Sequence, residues 1–339
     1  MKETRLPIGD RLLGEGQPCL VVAHVGAAHE GSADTARRLI DAAFQAGADA
    51  IVFQVFRADQ LLVRRHPERK AMEEVELPAR EWRGVLEAAK ASGLAVLAEA
   101  LDRASRDVAA EAGVDAFQTN AADLDHPELL RALAQTRRPL LVGTGPGPEG
   151  LVREALDVAG PRVGLLLCPA EAPAAVEEMR LRELPVWRER HRVPVGLLDS
   201  TDGGSAFAVL APALAATCGA DFVQKRLTLD RTRKGRDWAA ALSPEEFYRM
   251  VELLRQAERA HGEAATAAEA AGTGPRGRST VAATLIARGD VFTADMLAFK
   301  RTDERFARGL APREAHRIIG RRAARPIQAD ETIGEDMLE

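Results

Sequence analysis

Eight short apolar runs, separated by amphipathic stretches, constrain this chain more than any other feature. They are Cys19–Val25, Asp49–Val55, Ala95–Leu101, Ala116–Asn120, Pro139–Thr144, Arg162–Cys168, Val193–Asp199 and Asp221–Leu227. Most are apolar at nearly every position, as strands buried on both faces must be. The stretches between them, such as Ala33–Ala46 and Arg80–Ser92, carry helical periodicity, and several end in glycine just before the next run, as at Gly47, Gly93 and Gly113. A glycine there supplies the left-handed residue that stops a helix. Eight β-then-α units predict a (β/α)8 TIM barrel in the α/β class. The alternative is a doubly wound open sheet, but no Gly-x-Gly-x-x-Gly turn follows the first run.

The remainder of the chain divides into three parts. The barrel is expected over residues 1–262, closing with a helix over Pro244–Ala260 that Ser243 and Glu246 begin as a capping box. Residues 263–279 are rich in Ala, Gly, Thr and Glu and read as a linker. Residues 280–339 change character: a β-rich run at Thr280–Ile286, a turn at Arg288-Gly289-Asp290 and a short helical start at Thr293–Leu297 suggest a small β-clip module. So small a module builds little core of its own.

Bulk properties exclude several function classes. The 339 residues are 46% hydrophobic and 29% charged with a net charge of −5, so no electrostatic case exists for nucleic acid or an anionic membrane. No apolar stretch is long enough to span a bilayer, and the N-terminus is charged from Lys2 onward. Cys19, Cys168 and Cys218 lie far apart in apolar surroundings, which points to buried thiols and a cytoplasmic protein.

Particular residues then suggest a family. Gly47-Ala48-Asp49-Ala50 followed by Phe53-Gln54, Val195–Asp199, Leu227-Thr228-Leu229-Asp230-Arg231 followed by Gly235-Arg236-Asp237, Ser243–Phe247 and Lys300-Arg301 together resemble the sialic acid (N-acetylneuraminate) synthases. In that family a (β/α)8 barrel is joined to a C-terminal antifreeze-like (SAF) domain. The resemblance implies condensation of phosphoenolpyruvate with an N-acylated amino sugar, and a divalent cation, usually manganese, that orients the sugar aldehyde. It also implies a homodimer in which the SAF domain covers the partner's barrel; Arg301, in the family's Lys-Arg pair, either reaches the sugar across that dimer or is a plain surface arginine.

The family's site positions are substituted here. Glu-Ile-Gly-x-Asn-His-Asn-Gly after the first run is His24-Val25-Gly26-Ala27-Ala28-His29-Glu30-Gly31. Lys-Phe-Gln is Val52-Phe53-Gln54, Lys-Ile-Ala-Ser-Gly-Asp is Gln118–Asp123, and Ser-Thr-Gly is Gly143-Thr144-Gly145. Thus two lysines and two hydroxyls of the phosphate cradle are lost, each charge-assisted bond being worth roughly 1.5–3 kcal/mol. The two metal-binding histidines are Ser200 and Arg226. Serine is a poor ligand for a first-row dication and guanidinium cannot become one. The sequence therefore implies no cofactor, or a manganese or magnesium ion only at a relocated site.

The polar residues at the run ends form the candidate site. His24, Glu99 and Arg226 are the catalytic candidates; Gln54, Gln118, Asn120, Asp123, Thr144, Asp199, Lys225 and Arg301 are the binding candidates. His24 either satisfies a loop carbonyl or acts as a base near neutral pH. Glu99 inside a barrel needs a partner, and Lys225 or Arg226 could be that partner in a buried ion pair. Only one of Lys225 and Arg226 can face inward, and family register puts Arg226 in the former metal position. His66, His126, His191, His261 and His316 read as solvated, and Arg64–Lys70 as an exposed loop. Thr144–Pro148 is only loosely like a phosphate loop, since two prolines remove donors.

Three functions fit these residues. One is a divergent synthase-type enzyme acting on a sugar-derived or acidic small molecule without the metal-dependent condensation, forming or breaking a carbon–carbon bond. Another is a non-catalytic homologue that binds a ligand or regulates a partner subunit. The third is a working synthase with its metal moved to His24, Glu99 and Asp199.

Overall fold

A computed structural model of the chain describes residues 5–145, 148–262, 277–302 and 309–339. A hairpin comes first: β1 (Leu6–Ile8) pairs antiparallel with β2 (Arg11–Leu13). Eight strands follow, each an apolar run foreseen above: β3 (Leu20–Gly26), β4 (Ala50–Val55), β5 (Ala95–Ala100), β6 (Ala116–Gln118), β7 (Leu140–Thr144), β8 (Val163–Leu167), β9 (Val195–Asp199) and β10 (Phe222–Leu227). All pair in parallel in sequence order, and β10 pairs with both β9 and β3, so the sheet closes into a barrel. The open-sheet alternative is excluded by that closure. A two-residue strand, β11 (Ala241–Leu242), adds beside β10.

Two apolar layers separate inside from outside. Leu20, Val22, Val52, Leu97, Leu141, Leu166, Leu198 and Phe222 fill the barrel interior, and Leu6, Ile8 and Leu13 of the hairpin join them. The alternate positions, including Val21, Phe53, Val96, Val142, Leu165, Leu197 and Val223, pack outward against the helices. This pleat decides which way every polar side chain of the strands faces.

Several sequence signatures find a structural cause. Asp49, Asp115 and Asp221 each follow a helix-ending glycine, and their carboxylates accept the N–H of Val21, Val96 and Val195 on a neighbouring strand at 2.9, 2.8 and 2.8 Å. The Gly-Ala-Asp signature thus staples the N-terminal ends of the strands, a role in stability. Gly47 has φ +78°, as a helix terminator requires. Glu246 accepts from both the N–H and the hydroxyl of Ser243 at 2.8 Å, starting the helix Pro244–His261.

Some expectations need correction. The run Arg64–Lys70 is not all loop, because Arg69 begins a helix extending to Val75, with Arg69 paired to Glu73 at 2.7 Å. Cys218 is exposed, since it caps the helix Ala211–Thr217 instead of lying in a strand. His191 is half-buried, stacked on Trp187 at 5.1 Å.

The chain divides into two compact units, residues 1–262 and 263–339. Of the expected linker, residues 263–276 lie outside the described residues, and Arg278 and Ser279 already belong to β12 (Arg278–Ala282), which pairs antiparallel with β13 (Leu297–Arg301). The second unit has a core of its own, with Ile286, Phe292, Ile318, Ile327 and Ile333 each at most 1% exposed. No helix among the described residues is long and apolar enough to cross a membrane.

Candidate active site at the barrel mouth

The inward-facing residues at the C-terminal ends of the strands form one buried polar cluster. Glu99, the last inward residue of β5, is its centre and is 1% exposed. Its Oε1 accepts from Gln54 of β4 at 3.2 Å and from Asn120 beyond β6 at 3.3 Å. Its Oε2 accepts from Gln118 of β6 at 3.2 Å and lies 3.5 Å from Nε2 of His24 on β3. Gln224 of β10 donates to Oε1 of Gln118 at 2.5 Å, which turns the Gln118 amide nitrogen toward Glu99. Burial pushes the Glu99 carboxyl up, but His24, Gln54 and Asn120 outweigh it and hold the group below its ordinary range. Glu99 is therefore an ionised carboxylate saturated with donors.

The partner of Glu99 is thus His24, and neither Lys225 nor Arg226. Lys225 faces the opposite side of β10, in line with Val223, and Asp199 faces outward in line with Leu197. There the Lys225 ammonium sits 3.0 Å from the Asp199 carboxylate and donates to the carbonyl of Thr201 at 3.1 Å, with both side chains at most 1% exposed. Burial pulls the Lys225 ammonium down against the opposing pull of Asp199. This pair ties strands to the outer layer and does not join the mouth cluster. The metal set of His24, Glu99 and Asp199 does not assemble, and no three His, Cys, Asp or Glu side chains converge on a cation position among the described residues.

Arg226 faces inward, as its register demands. Its Nη1 lies 3.0 Å from the Asp237 carboxylate, and its Nε is buried without an acceptor. Arg226 and His24 are direct register partners on β10 and β3, and Nδ1 of His24 is likewise buried without a partner. Between them stands Gly26, with φ +54°. A β-carbon there would meet Asp237 Oδ2 at 2.7 Å, Arg226 Nη1 at 3.3 Å and His24 Cε1 at 3.5 Å. Val25 is the extra residue of a bulge in β3, since His24 pairs with Val52 and Gly26 with Phe53. Such a bulge re-aims side chains at a strand end.

Other candidates take different places. Asn120 caps the turn that follows β6, accepting from Ala122 and Asp123 at 2.8 and 3.2 Å. Asp123 lies on that turn, and burial together with the Glu99 charge pushes its carboxyl up to about 6. Thr144 is buried on the outward face of β7 and does not enter the cluster; residues 146–147 of the loop after it lie outside the described residues. His29 packs edge-on against Trp82 at 5.2 Å, and burial lowers it to about 4, so it is a neutral packing residue. Arg301 ends β13 in the second unit, opposite Arg278 and exposed. Asp237 and Gly26 escaped sequence reasoning, although both lie within motifs quoted there.

Comparison with known proteins agrees with the fold. The NeuB family profile matches residues 39–266 and the SAF domain profile residues 277–339. An uncharacterized protein of Methanocaldococcus jannaschii is 30% identical over 98% of both chains. The N,N'-diacetyllegionaminic acid synthase of Legionella pneumophila is 26% identical over 94% of each. Among solved structures, the sialic acid synthetase of Leptospira borgpetersenii superposes with a TM-score of 0.74 at 22% identity, over 81% of this chain and 96% of that one. The SpsE spore coat polysaccharide biosynthesis protein of Bacillus subtilis gives 0.68 at 26% identity over 99% of each. The closed parallel barrel, the SAF module and the full-length similarity together make this chain a member of the NeuB family of sialic acid synthase-like proteins.

Proposed function

We propose that the chain is an enzyme of the sialic acid synthase type whose barrel mouth handles a sugar-derived or acidic small molecule without metal-dependent condensation of phosphoenolpyruvate. The observation that carries this reading is a pair of buried nitrogens without a partner among the described residues, His24 Nδ1 and Arg226 Nε, on residues paired in register at the strand ends. A free imidazole lone pair is a base, and a free guanidinium N–H is a donor for a carboxylate or carbonyl oxygen. The named synthases among the relatives support the coarse class, a carbon–carbon bond-forming enzyme.

The family's divalent cation does not fit the residues present. Its two imidazole positions are a neutral hydroxyl, Ser200, and a guanidinium, Arg226, held by Asp237. At an effective dielectric of 20 and a spacing near 4 Å, repulsion is about 4 kcal/mol per pair of unit charges, and a dication doubles it. In this reading Arg226 itself supplies the positive charge at the mouth.

A thermal-shift comparison tests the reading. Small carboxylates in EDTA should stabilise the protein, with the shift lost in Arg226→Met; stabilisation only by phosphoenolpyruvate with manganese contradicts it. The burial of His24 and Glu99, each 1% exposed, favours a second reading, a non-catalytic homologue that binds a ligand or a partner subunit. Carboxylate binding without turnover on any acidic sugar, together with tight association with another protein, would select that reading.

A further inference from the structure

Resting on the proposed carboxylate site at Arg226, we propose that His24 Nδ1 abstracts the proton α to the carbonyl of a 2-oxo acid, and that Glu99, Gln118 and Gln224 hold His24 in the tautomer this requires.

The tautomer follows from the hydrogen-bond chain. Glu99 is ionised, accepts from three side-chain amides and faces Nε2 of His24, so Nε2 carries the imidazole proton. That leaves the lone pair on Nδ1, the ring nitrogen buried without a partner. Gln224 fixes the orientation of Gln118, and Gln118 shares with His24 the same carboxylate oxygen. Gln118 and Gln224 are positioning residues: they act through Glu99 and His24.

The substrate class follows from what such a base can do. An imidazole removes a carbon-bound proton only where a neighbouring carbonyl accepts the electron pair and a fixed charge stabilises the oxygen. The Arg226 Nε–H, from the register position next to His24, is the donor available for that oxygen or for an adjacent carboxylate. A 2-oxo acid carries both groups on neighbouring carbons. The step balances: the C3–H bond breaks, its proton goes to Nδ1, its electron pair becomes the C2–C3 double bond, and the carbonyl π pair moves onto oxygen. The imidazolium so formed faces the Glu99 carboxylate. The enolate carbon then bonds to the carbonyl carbon of an aldehyde of the sugar class, the aldehyde π pair moves onto its oxygen, and that oxygen takes the proton back from the imidazolium, an aldol addition that releases no phosphate.

Proton exchange tests this without knowledge of the aldehyde. Pyruvate is incubated with the full chain in deuterated buffer containing EDTA, and loss of its methyl signal is followed by proton NMR, beside a binding titration. The wild type should exchange at least about 100-fold faster than buffer, the lower end for general-base catalysis, and His24→Gln should fall to the buffer rate. Gln224→Leu should slow exchange while leaving the half-saturating pyruvate concentration unchanged, a split that loss of packing alone would not give. Pyruvate that binds through Arg226 but exchanges no faster than in buffer overturns the proposal and leaves the carboxylate reading intact. Absence of both binding and exchange overturns both. Exchange that persists in His24→Gln also overturns it.

Discussion

His24 and Arg226 are register partners on adjacent parallel strands, and each holds a buried nitrogen with no hydrogen-bond partner among the described residues. The two lie at the C-terminal ends of barrel strands, where this architecture collects its chemistry. Gly26 lies against both, so that a β-carbon there would fall 3.3 Å from Arg226 Nη1 and 3.5 Å from His24 Cε1, and Asp237 pairs with Nη1 of the guanidinium at 3.0 Å. The consequences are testable residue by residue.

Glu99 should prove the keystone of the mouth. Glu99→Leu leaves the amides of Gln54, Gln118 and Asn120 without their acceptor, at about 1–3 kcal/mol for each buried group left unpaired. Because the folded carboxyl is held below its ordinary value of 4.5, its contribution is full above that pH and lost as pH falls through the lowered value. Urea denaturation should therefore show a constant gap between wild type and Glu99→Leu near neutrality, narrowing only in acid below pH 4.5.

Asp123 and His29 should give opposite pH slopes. Asp123 is raised from 3.8 to about 6, so the folded state binds more protons in that window and stability falls as pH rises. His29 is lowered from 6.5 to about 4, so the unfolded state binds more protons and stability rises with pH. The two largely cancel in the wild type. Thermal melts from pH 4 to 6 should show a rising trend in Asp123→Asn and a falling one in His29→Phe.

The buried pair behind the mouth should behave as a unit. Lys225→Met alone strands the Asp199 carboxylate and should cost on the order of 3–5 kcal/mol. The double variant Lys225→Met, Asp199→Leu should recover most of that loss. Additive losses in a double-mutant cycle would show that the two charges are not coupled.

Two glycines should resist replacement for different reasons. Gly26→Ala adds a β-carbon 2.7 Å from Asp237 at a residue with φ +54°, at about 1 kcal/mol or more, and should abolish carboxylate binding. Gly143→Ser, which supplies the hydroxyl that the resemblance implies at this position, would bring a β-carbon to 2.4 Å from the Thr119 carbonyl oxygen and 2.6 Å from the Asn120 carbonyl carbon. Calorimetry should find Gly143→Ser strongly destabilised, which explains why the hydroxyl cannot simply be restored in this barrel.

Much of the fold was legible because parallel strands buried on both faces leave continuous apolar runs, and glycines mark the helix ends. The same property concealed the site. Leu197 and Leu198 are both apolar, as are Val22 and Ala23, so no alternation in the sequence tells which face a following polar residue takes. Asp199 and Lys225 stand at strand ends beside the mouth residues in the sequence, and the pleat places them on the outer face. The His24–Glu99 contact spans β3 to β5 across β4, a neighbourhood that no spacing in the sequence announces. The hairpin Leu6–Leu13 was too short to register as strands, yet it contributes three residues to the interior core.

The Arg226 guanidinium stands where the resemblance to the sialic acid synthases implies a dication, and manganese(II) binding measures this most directly. The paramagnetic resonance signal of free manganese is followed as protein is added. The wild type should leave the signal unchanged, while the double variant Ser200→His, Arg226→His, which restores two imidazoles, should take up the ion. A stoichiometric loss of free manganese on adding the wild type would contradict the account.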